Sequence, residues 1–298
     1  MNLNPFKRSM IVLFISTCIP LLTQAKSNSE NSIQEKLAAL ETASGGQLGV
    51  YATNTKNNAH IEYRADQRFP FASTFKVLVV SAVLKQSMKD KYLLQQKIFY
   101  KESELVEPSP ITKKHVASGM TISELSAAAI MYGDNTAVNL LVKKLGGIET
   151  INTYVHSIDD NTFRLDGWEP MLNQNPAYIQ DTSTPKAMGK DVEHLTLGKL
   201  LARAQQEQLI SWMKGNTTGD HRIRAGVPKG WIVGDRTGGG NDYGVTNDIG
   251  IIYPPHCSPI VIAVYLVQKQ KEGGRREDIV AAATRLVIDE YAKHDSCI

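Results

Sequence analysis

The 298-residue chain predicts an α/β protein of the α+β type: a mostly antiparallel sheet built from both chain ends, flanked by terminal helices, beside an inserted all-α domain. Three observations predict it. Strand patterns lie near both termini, at 47–53 and 60–63 and again at 231–238, 250–253 and 260–267. Between them, from Thr121 to about Met213, the apolar spacing is helical almost throughout. Helical spacing returns outside the strands, at Ile33, Leu37 and Leu40 and over 275–292. Strands at both ends with helices between divide the chain into a sheet domain (26–70 and 214–298) and a helical one (71–213). A cleft between the two is the expected place for a site.

Taken in order, residues 1–25 read as a cleaved secretory signal: Lys7 and Arg8 precede an apolar run from Met10 to Leu22, and Ala25 offers a small residue before Lys26. The run is too short for a comfortable membrane span. Cys18 follows Thr17, a poor neighbour for lipidation, so no stable membrane anchor is expected after signal removal. Gly45-Gly46 ends the first helix, and 54–58 turns the first hairpin. A helix then starts near Ser73. Thr121-Ile122-Ser123-Glu124 is a capping box and Gly146-Gly147 a stop. The long irregular stretch 163–185 is of the kind that is usually functional.

Composition narrows the function. Losing Lys7 and Arg8 with the leader lowers the net charge from +3 to +1, and no basic run is interleaved with aromatics, so nothing supports a nucleic-acid partner. The seven histidines show no H-x-x-x-H or comparable cluster, so no metal is expected. Cys257 and Cys297 lack metal spacing; an exported protein could join them, but two cysteines are not a disulfide framework.

The chemistry centres on Phe71-Ala72-Ser73-Thr74-Phe75-Lys76. Residues three apart on a helix share a face, so the Lys76 amine can lie beside the Ser73 hydroxyl. A serine needs a nearby base, and a lysine serves as one only when burial or another cation lowers its pKa. Alone, the spacing is weak, and a helix-capping serine with a solvated lysine is the favoured reading. Further clusters follow at Tyr132-Gly133-Asp134-Asn135, at Asp235-Arg236-Thr237-Gly238-Gly239-Gly240, and at Gly167-Trp168-Glu169-Pro170-Met171-Leu172-Asn173 in the long loop.

In order and interval these motifs resemble those of the class A serine β-lactamases, over essentially the whole mature chain. The resemblance implies the β-lactamase/transpeptidase-like fold and a secreted, periplasmic amidohydrolase. It would act as a monomer without cofactor on a small-molecule β-lactam, penicillins and cephalosporins among them. Ser73 would attack the lactam carbonyl, with the backbone N–H groups of Ser73 and Gly239 as oxyanion hole. The run of glycines would let backbone approach substrate. Glu169 and Asn173 would hold the water that hydrolyses the ester, the feature that separates turnover from a persistent penicilloyl adduct. Asn135 would bind the substrate's side-chain amide, while Arg236, Thr237 and Arg222 would hold its carboxylate. The acylation base is either Lys76 directly or Glu169 through water. A D,D-peptidase and a non-catalytic receptor for penicillin or wall fragments are the rival functions.

Several positions depart from the family pattern. Gly133 replaces a serine whose hydroxyl passes a proton to the departing lactam nitrogen, a loss typically worth about 10²–10⁴-fold. Arg236 replaces a lysine, and the two changes are expected to compensate, the longer guanidinium filling space left by Gly133 and ordering a proton-carrying water. Gly167 replaces an arginine that pairs with an aspartate, here Asp181, so the loop is expected to lack its closing salt bridge and to be more mobile. Pro108 removes an aromatic wall of the cleft, and Ala72 and Gly240 cannot form the disulfide of one carbapenem-hydrolysing subgroup.

Overall fold

The computed structural model describes residues 1–2 and 22–298, with side chains from residue 32 onward. Residues 3–21 of the expected leader, Cys18 among them, lie outside the described residues. Helix α1 (Leu22–Ser44) leads into strand β1 (Gly46–Asn54), β2 (Ala59–Tyr63) and the short β3 (Phe69–Pro70). A 3₁₀ turn (Ala72–Phe75) opens α2 (Lys76–Ser87). Short strands β4 (Lys97–Ile98) and β5 (Met120–Thr121) precede α3 (Ile122–Met131), α4 (Asn135–Leu145) and α5 (Ile148–His156). The long loop ends in β6 (Thr182–Ser183), which is followed by α6 (Pro185–Thr196), α7 (Arg203–Lys214) and α8 (Ile223–Gly226). Strands β7 (Ile232–Gly239), β8 (Thr246–Tyr253) and β9 (Ile260–Gln268) and helix α9 (Glu277–Ala292) complete the chain.

The five long strands form one sheet in the order β2-β1-β9-β8-β7, every pair antiparallel, so the two ends of the chain meet between β1 and β9. Strand β9 reads as a continuous apolar run because both its faces are covered. Val261, Ala263, Tyr265 and Val267 join the core shared with α2 to α7, while Ile260, Ile262, Val264 and Leu266 join that under α1 and α9. Strand β8 begins at Thr246, four residues ahead of the apolar pattern, since Thr246, Asn247 and Asp248 are polar yet paired with β7. Local chemistry sets the helix ends as expected. Thr121 accepts from Glu124 N–H and Glu124 returns the bond at the head of α3, and Gly146 closes α4 in the left-handed region. Cys257 and Cys297 form a disulfide that staples the β8–β9 connection to the chain end.

The sheet reaches across to fix the entrance of α2. Asn247 on β8 donates to the carbonyls of Pro70 (2.8 Å) and Phe71 (3.1 Å). The Tyr265 and Thr74 hydroxyls bond at 2.9 Å. Phe71 stacks on Phe163 at the start of the long loop, with centroids 5.1 Å apart and planes within 11°. The turn bearing Ser73 is thereby held by both bodies at once.

Candidate active site

Ser73 follows Ala72, whose φ of +46° is in the left-handed region that an alanine seldom adopts. Strand β7 passes so close that a Cβ on Gly238 would stand 2.6 Å from the Phe71 carbonyl oxygen. This glycine is therefore required by the nucleophile turn rather than by room for a substrate, a correction to the reason expected for the glycine run.

Lys76 is wholly buried at the first position of α2. Its Nζ donates to Gly133 O (2.9 Å) and Asn135 Oδ1 (2.5 Å) and pairs with Glu169 Oε1 at 3.2 Å. Burial pushes the Lys76 ammonium down to about 8, against the opposing pull of Glu169 and with the help of Arg236. The Ser73 hydroxyl donates to the same Glu169 oxygen at 2.9 Å. Serine, lysine and carboxylate, far apart in sequence, thus converge on one atom.

Glu169 is held by a residue that the sequence reading missed. Asn139 donates from Nδ2 to Glu169 O (2.9 Å) and accepts from Glu169 N–H at Oδ1 (3.2 Å), a two-point clamp on the backbone. The available signal was its spacing: Asn139 lies four residues after Asn135, on the same face of α4. Asp134 caps that helix by accepting from Ala137 N–H. It also accepts from the N–H groups of Ile111 and Thr112, and so fastens the segment carrying Pro108 to the head of α4. Asn135 donates to Glu107 O (2.9 Å) while its oxygen serves Lys76.

A cavity of about 560 Å³ opens over these groups, lined by Ser73, Asn135, Glu169 and Gly133 on one side and by Arg222, Arg236, Thr237 and Gly239 on the other. Arg236 is buried, and burial pushes its guanidinium down to about 10. Its Nη1 donates to Thr237 Oγ1 (3.2 Å) and Thr218 Oγ1 (3.4 Å). Its Nη2 lies 3.1 Å from where a Cβ on Gly133 would stand, so the guanidinium does occupy the space beside the glycine. Arg222 donates to the carbonyls of Gly238 (2.8 Å) and Asn247 (2.7 Å) and, through Nε and Nη2, to Glu277. Of its five N–H bonds one remains uncommitted. Arg275, absent from the sequence reading, lines the cavity beside Gly239 and donates to Gly240 O and Asn241 Oδ1.

Asn173 is not brought to the site. Its carboxamide donates to the carbonyls of Gln180 (2.8 Å) and Asn175 (3.1 Å) and accepts from Asn175 N–H (2.9 Å). It lines a separate hollow with Gly167, Tyr178 and Asp181. The expectation that it shares the water with Glu169 is therefore corrected: its polar atoms are committed to folding the loop. The closing salt bridge is absent among the described residues, as expected, but the loop is tied in a way that the sequence did not reveal. Asp181 accepts from the N–H groups of Asp166 (2.8 Å), Gly167 (2.9 Å) and Asn173 (2.9 Å), so backbone donors take the place of the missing arginine. The one cation near the loop's start, Arg164, instead pairs with Asp166 at 2.8 Å.

Comparisons with known proteins identify the family. The sequence profile of the β-lactamase enzyme family matches residues 32–291. The chain is 48% identical to β-lactamase Toho-1 of Escherichia coli over 98% of its own length and 100% of the relative's. It is 47% identical to a β-lactamase of Proteus vulgaris over 89% and 98%. Among solved structures it resembles a β-lactamase from Desulfarculus baarsii, with TM-score 0.86 and 42% identity over 87% of this chain and 97% of that one. Matched by the family's profile over most of its length and nearly half identical to a relative that it covers in full, the chain belongs to the β-lactamase enzyme family, in its class A serine group.

Proposed function

We propose that Ser73, Lys76 and Glu169 hydrolyse the β-lactam amide in two half-reactions. The observation that carries this reading is the Ser73 hydroxyl donating to Glu169 Oε1 directly above a buried Lys76. Because Lys76 donates to Gly133 O and Asn135 Oδ1 and faces Glu169 with its third N–H, its lone pair is not offered to Ser73; this supports Glu169 as the acylation base. Ser73 Oγ attacks the carbonyl carbon as its proton passes to Glu169. The oxyanion forms against the backbone N–H groups of Ser73 and Gly239, and the C–N bond breaks as the ring nitrogen takes a proton. With no hydroxyl at Gly133, the proton that Glu169 took up is handed to Lys76 as Lys76 passes one of its own through a water held beside Arg236 to the ring nitrogen, which returns Glu169 to the carboxylate. Glu169 then takes a proton from the water as it attacks the ester carbonyl, and returns that proton to Ser73 Oγ as the C–O bond breaks. Asn135 receives the substrate's side-chain amide, and Arg236, Thr237 and the free N–H of Arg222 its carboxylate.

Hydrolysis by this route confers resistance to β-lactam antibiotics. Export to the periplasm as a monomer is part of the reading. The Cys257–Cys297 disulfide supports an oxidising compartment, and no described helix is long and apolar enough to cross a membrane. Time-resolved mass spectrometry with benzylpenicillin tests the mechanism. A transient adduct on Ser73 followed by hydrolysed product is expected. A persistent adduct would indicate a peptidase-like or receptor role, and absence of any adduct would sink the reading.

A further inference from the structure

We infer that a second cavity, at the two stems of the long loop, binds a primary ammonium group, such as the end of an alkylamine, between the carboxyl groups of Asp160 and Asp191. This cavity has a volume of about 400 Å³ and shares no lining residue with the one over Ser73. Asp160 stands where the chain leaves α5 for the loop, and Asp191 on α6 just after the loop has ended. Both line the cavity and both are buried, at 5% and 2% exposure. Asp160 Oδ1 is taken by the N–H (2.7 Å) and hydroxyl (2.8 Å) of Thr162 and the N–H of Phe163 (3.0 Å), but Oδ2 accepts only a long bond from the Ser183 hydroxyl (3.5 Å). Asp191 Oδ2 has no partner among the described residues. A buried carboxylate without a donor is costly, and two facing ones cannot both ionise. By themselves the two groups must share a proton. An ammonium group meets both needs, offering N–H donors to the two open oxygens and a positive charge between them.

The surroundings select the cation. Among the described residues no three carboxylate, imidazole or thiolate side chains gather as metal ligands, which disfavours a chelated ion. The protein's own cations do not fill the role: Lys186 is held by Glu62 (2.9 Å) and Asp66 (3.7 Å), and Lys190 and His194 are exposed on α6. Asp66, between β2 and β3, and Asp159, beside Asp160, offset those cations at the mouth. Ile158 and Ala187 give an alkyl tail an apolar surface to lie on. Tyr154 on α5 and Tyr265 on β9 also sense the Asp191 charge, and burial above all keeps their hydroxyls neutral. Binding exchanges one cation for one proton. The Asp191 carboxyl, held well above its usual range by burial and then by Asp160, gives its proton to solvent, and the carboxylate so formed pairs with the ammonium.

The test is calorimetric titration of the protein with n-butylammonium chloride at fixed ionic strength, in two buffers of different ionisation enthalpy. One saturable site is expected, with Kd on the order of 1 mM, the scale for so small a ligand. Proton release should accompany binding, and affinity should rise by up to about tenfold per pH unit between pH 6 and 8 as the competing proton becomes scarcer. Asp191→Asn, whose thermal transition reports its folding, should bind at least about tenfold more weakly and without the pH dependence. Tetramethylammonium, which carries the charge but no N–H, should lose affinity by about tenfold or more in the unchanged protein. Binding without proton release, equal affinity in Asp191→Asn, equal affinity for tetramethylammonium, or no saturable binding at about 10 mM amine overturns the site. Tighter binding of potassium or magnesium ions than of the amine would assign it to a metal ion and overturn the ammonium reading.

Discussion

On the Glu169 wall of the cavity the polar groups are mutually satisfied: Lys76 donates to Gly133 and Asn135 and pairs with Glu169, which also accepts from Ser73 and is clamped from behind by Asn139. On the opposite wall Arg236 has no partner at Nε among the described residues, and while Nη1 donates to the Thr237 and Thr218 hydroxyls, Nη2 lies against Gly133, where there is no side chain to meet it. The first wall is a buried network in which removing one member strands the others. The second has slack. On the proposed mechanism, the half-reaction that frees Ser73 draws on the mutually bonded wall, and the ring-opening proton transfer on the wall where Arg236 meets Gly133.

The comparison is broken most directly at Glu169. Glu169→Gln should slow turnover by about 10³-fold or more, since both half-reactions lose their base, with the Ser73 adduct forming slowly and then persisting in time-resolved mass spectra. Turnover at the unaltered rate would remove the first wall's claim to the chemistry. The second wall is sharpened by restoring the serine. Gly133 has φ +71° and its missing Cβ would press on Arg236 Nη2, so Gly133→Ser alone must displace the guanidinium. Penicillin acylation followed by stopped flow should rise about tenfold in Gly133→Ser/Arg236→Lys and less in Gly133→Ser alone. Full recovery by the single change would show that the two positions do not compensate.

The smallest effect on activity is expected beneath the first wall. Asp191 is buried against Asp160, whose carboxylate accepts from Thr162 and Phe163 N–H and from the Ser183 hydroxyl, gathering both stems of the loop. Burial, and then the Asp160 charge, hold the Asp191 carboxyl well above its usual range. The folded protein therefore retains a proton that the unfolded chain releases near pH 4. Stability falls as pH rises, by up to about 1.4 kcal/mol per pH unit until the folded group ionises. Asp191→Asn should flatten that slope in denaturation midpoints measured between pH 5 and 8, with kcat against penicillin little changed. A slope that persists in the variant would place the proton elsewhere.

Much of this was legible in the sequence because it is local. The strands at both chain ends were readable as short apolar runs bounded by turns, and the head of α3 from its capping box. Ser73 and Lys76 were readable as a pair three residues apart, and Glu169 through its flanking motif. What escaped were contacts between segments distant along the chain. Asn139 carries no motif; its role arises only when α4 meets the loop. Asn173 was assigned to the water on the strength of its motif, yet in the folded loop its amide turns toward the carbonyls of Asn175 and Gln180. The missing arginine at Gly167 suggested a loose loop, because a sequence displays lost side chains and hides backbone donors of the kind that Asp181 collects.

The stack of Phe71 on Phe163 joins the segment before the nucleophile to the segment that leads toward its carboxylate. Neither can unfold locally without exposing the other's ring, so amides around residues 71–76 and 163–166 should exchange with solvent as one cooperative unit. An enzyme losing activity on heating would then surrender acylation and ester release together, instead of passing through a form that captures antibiotic and never lets it go.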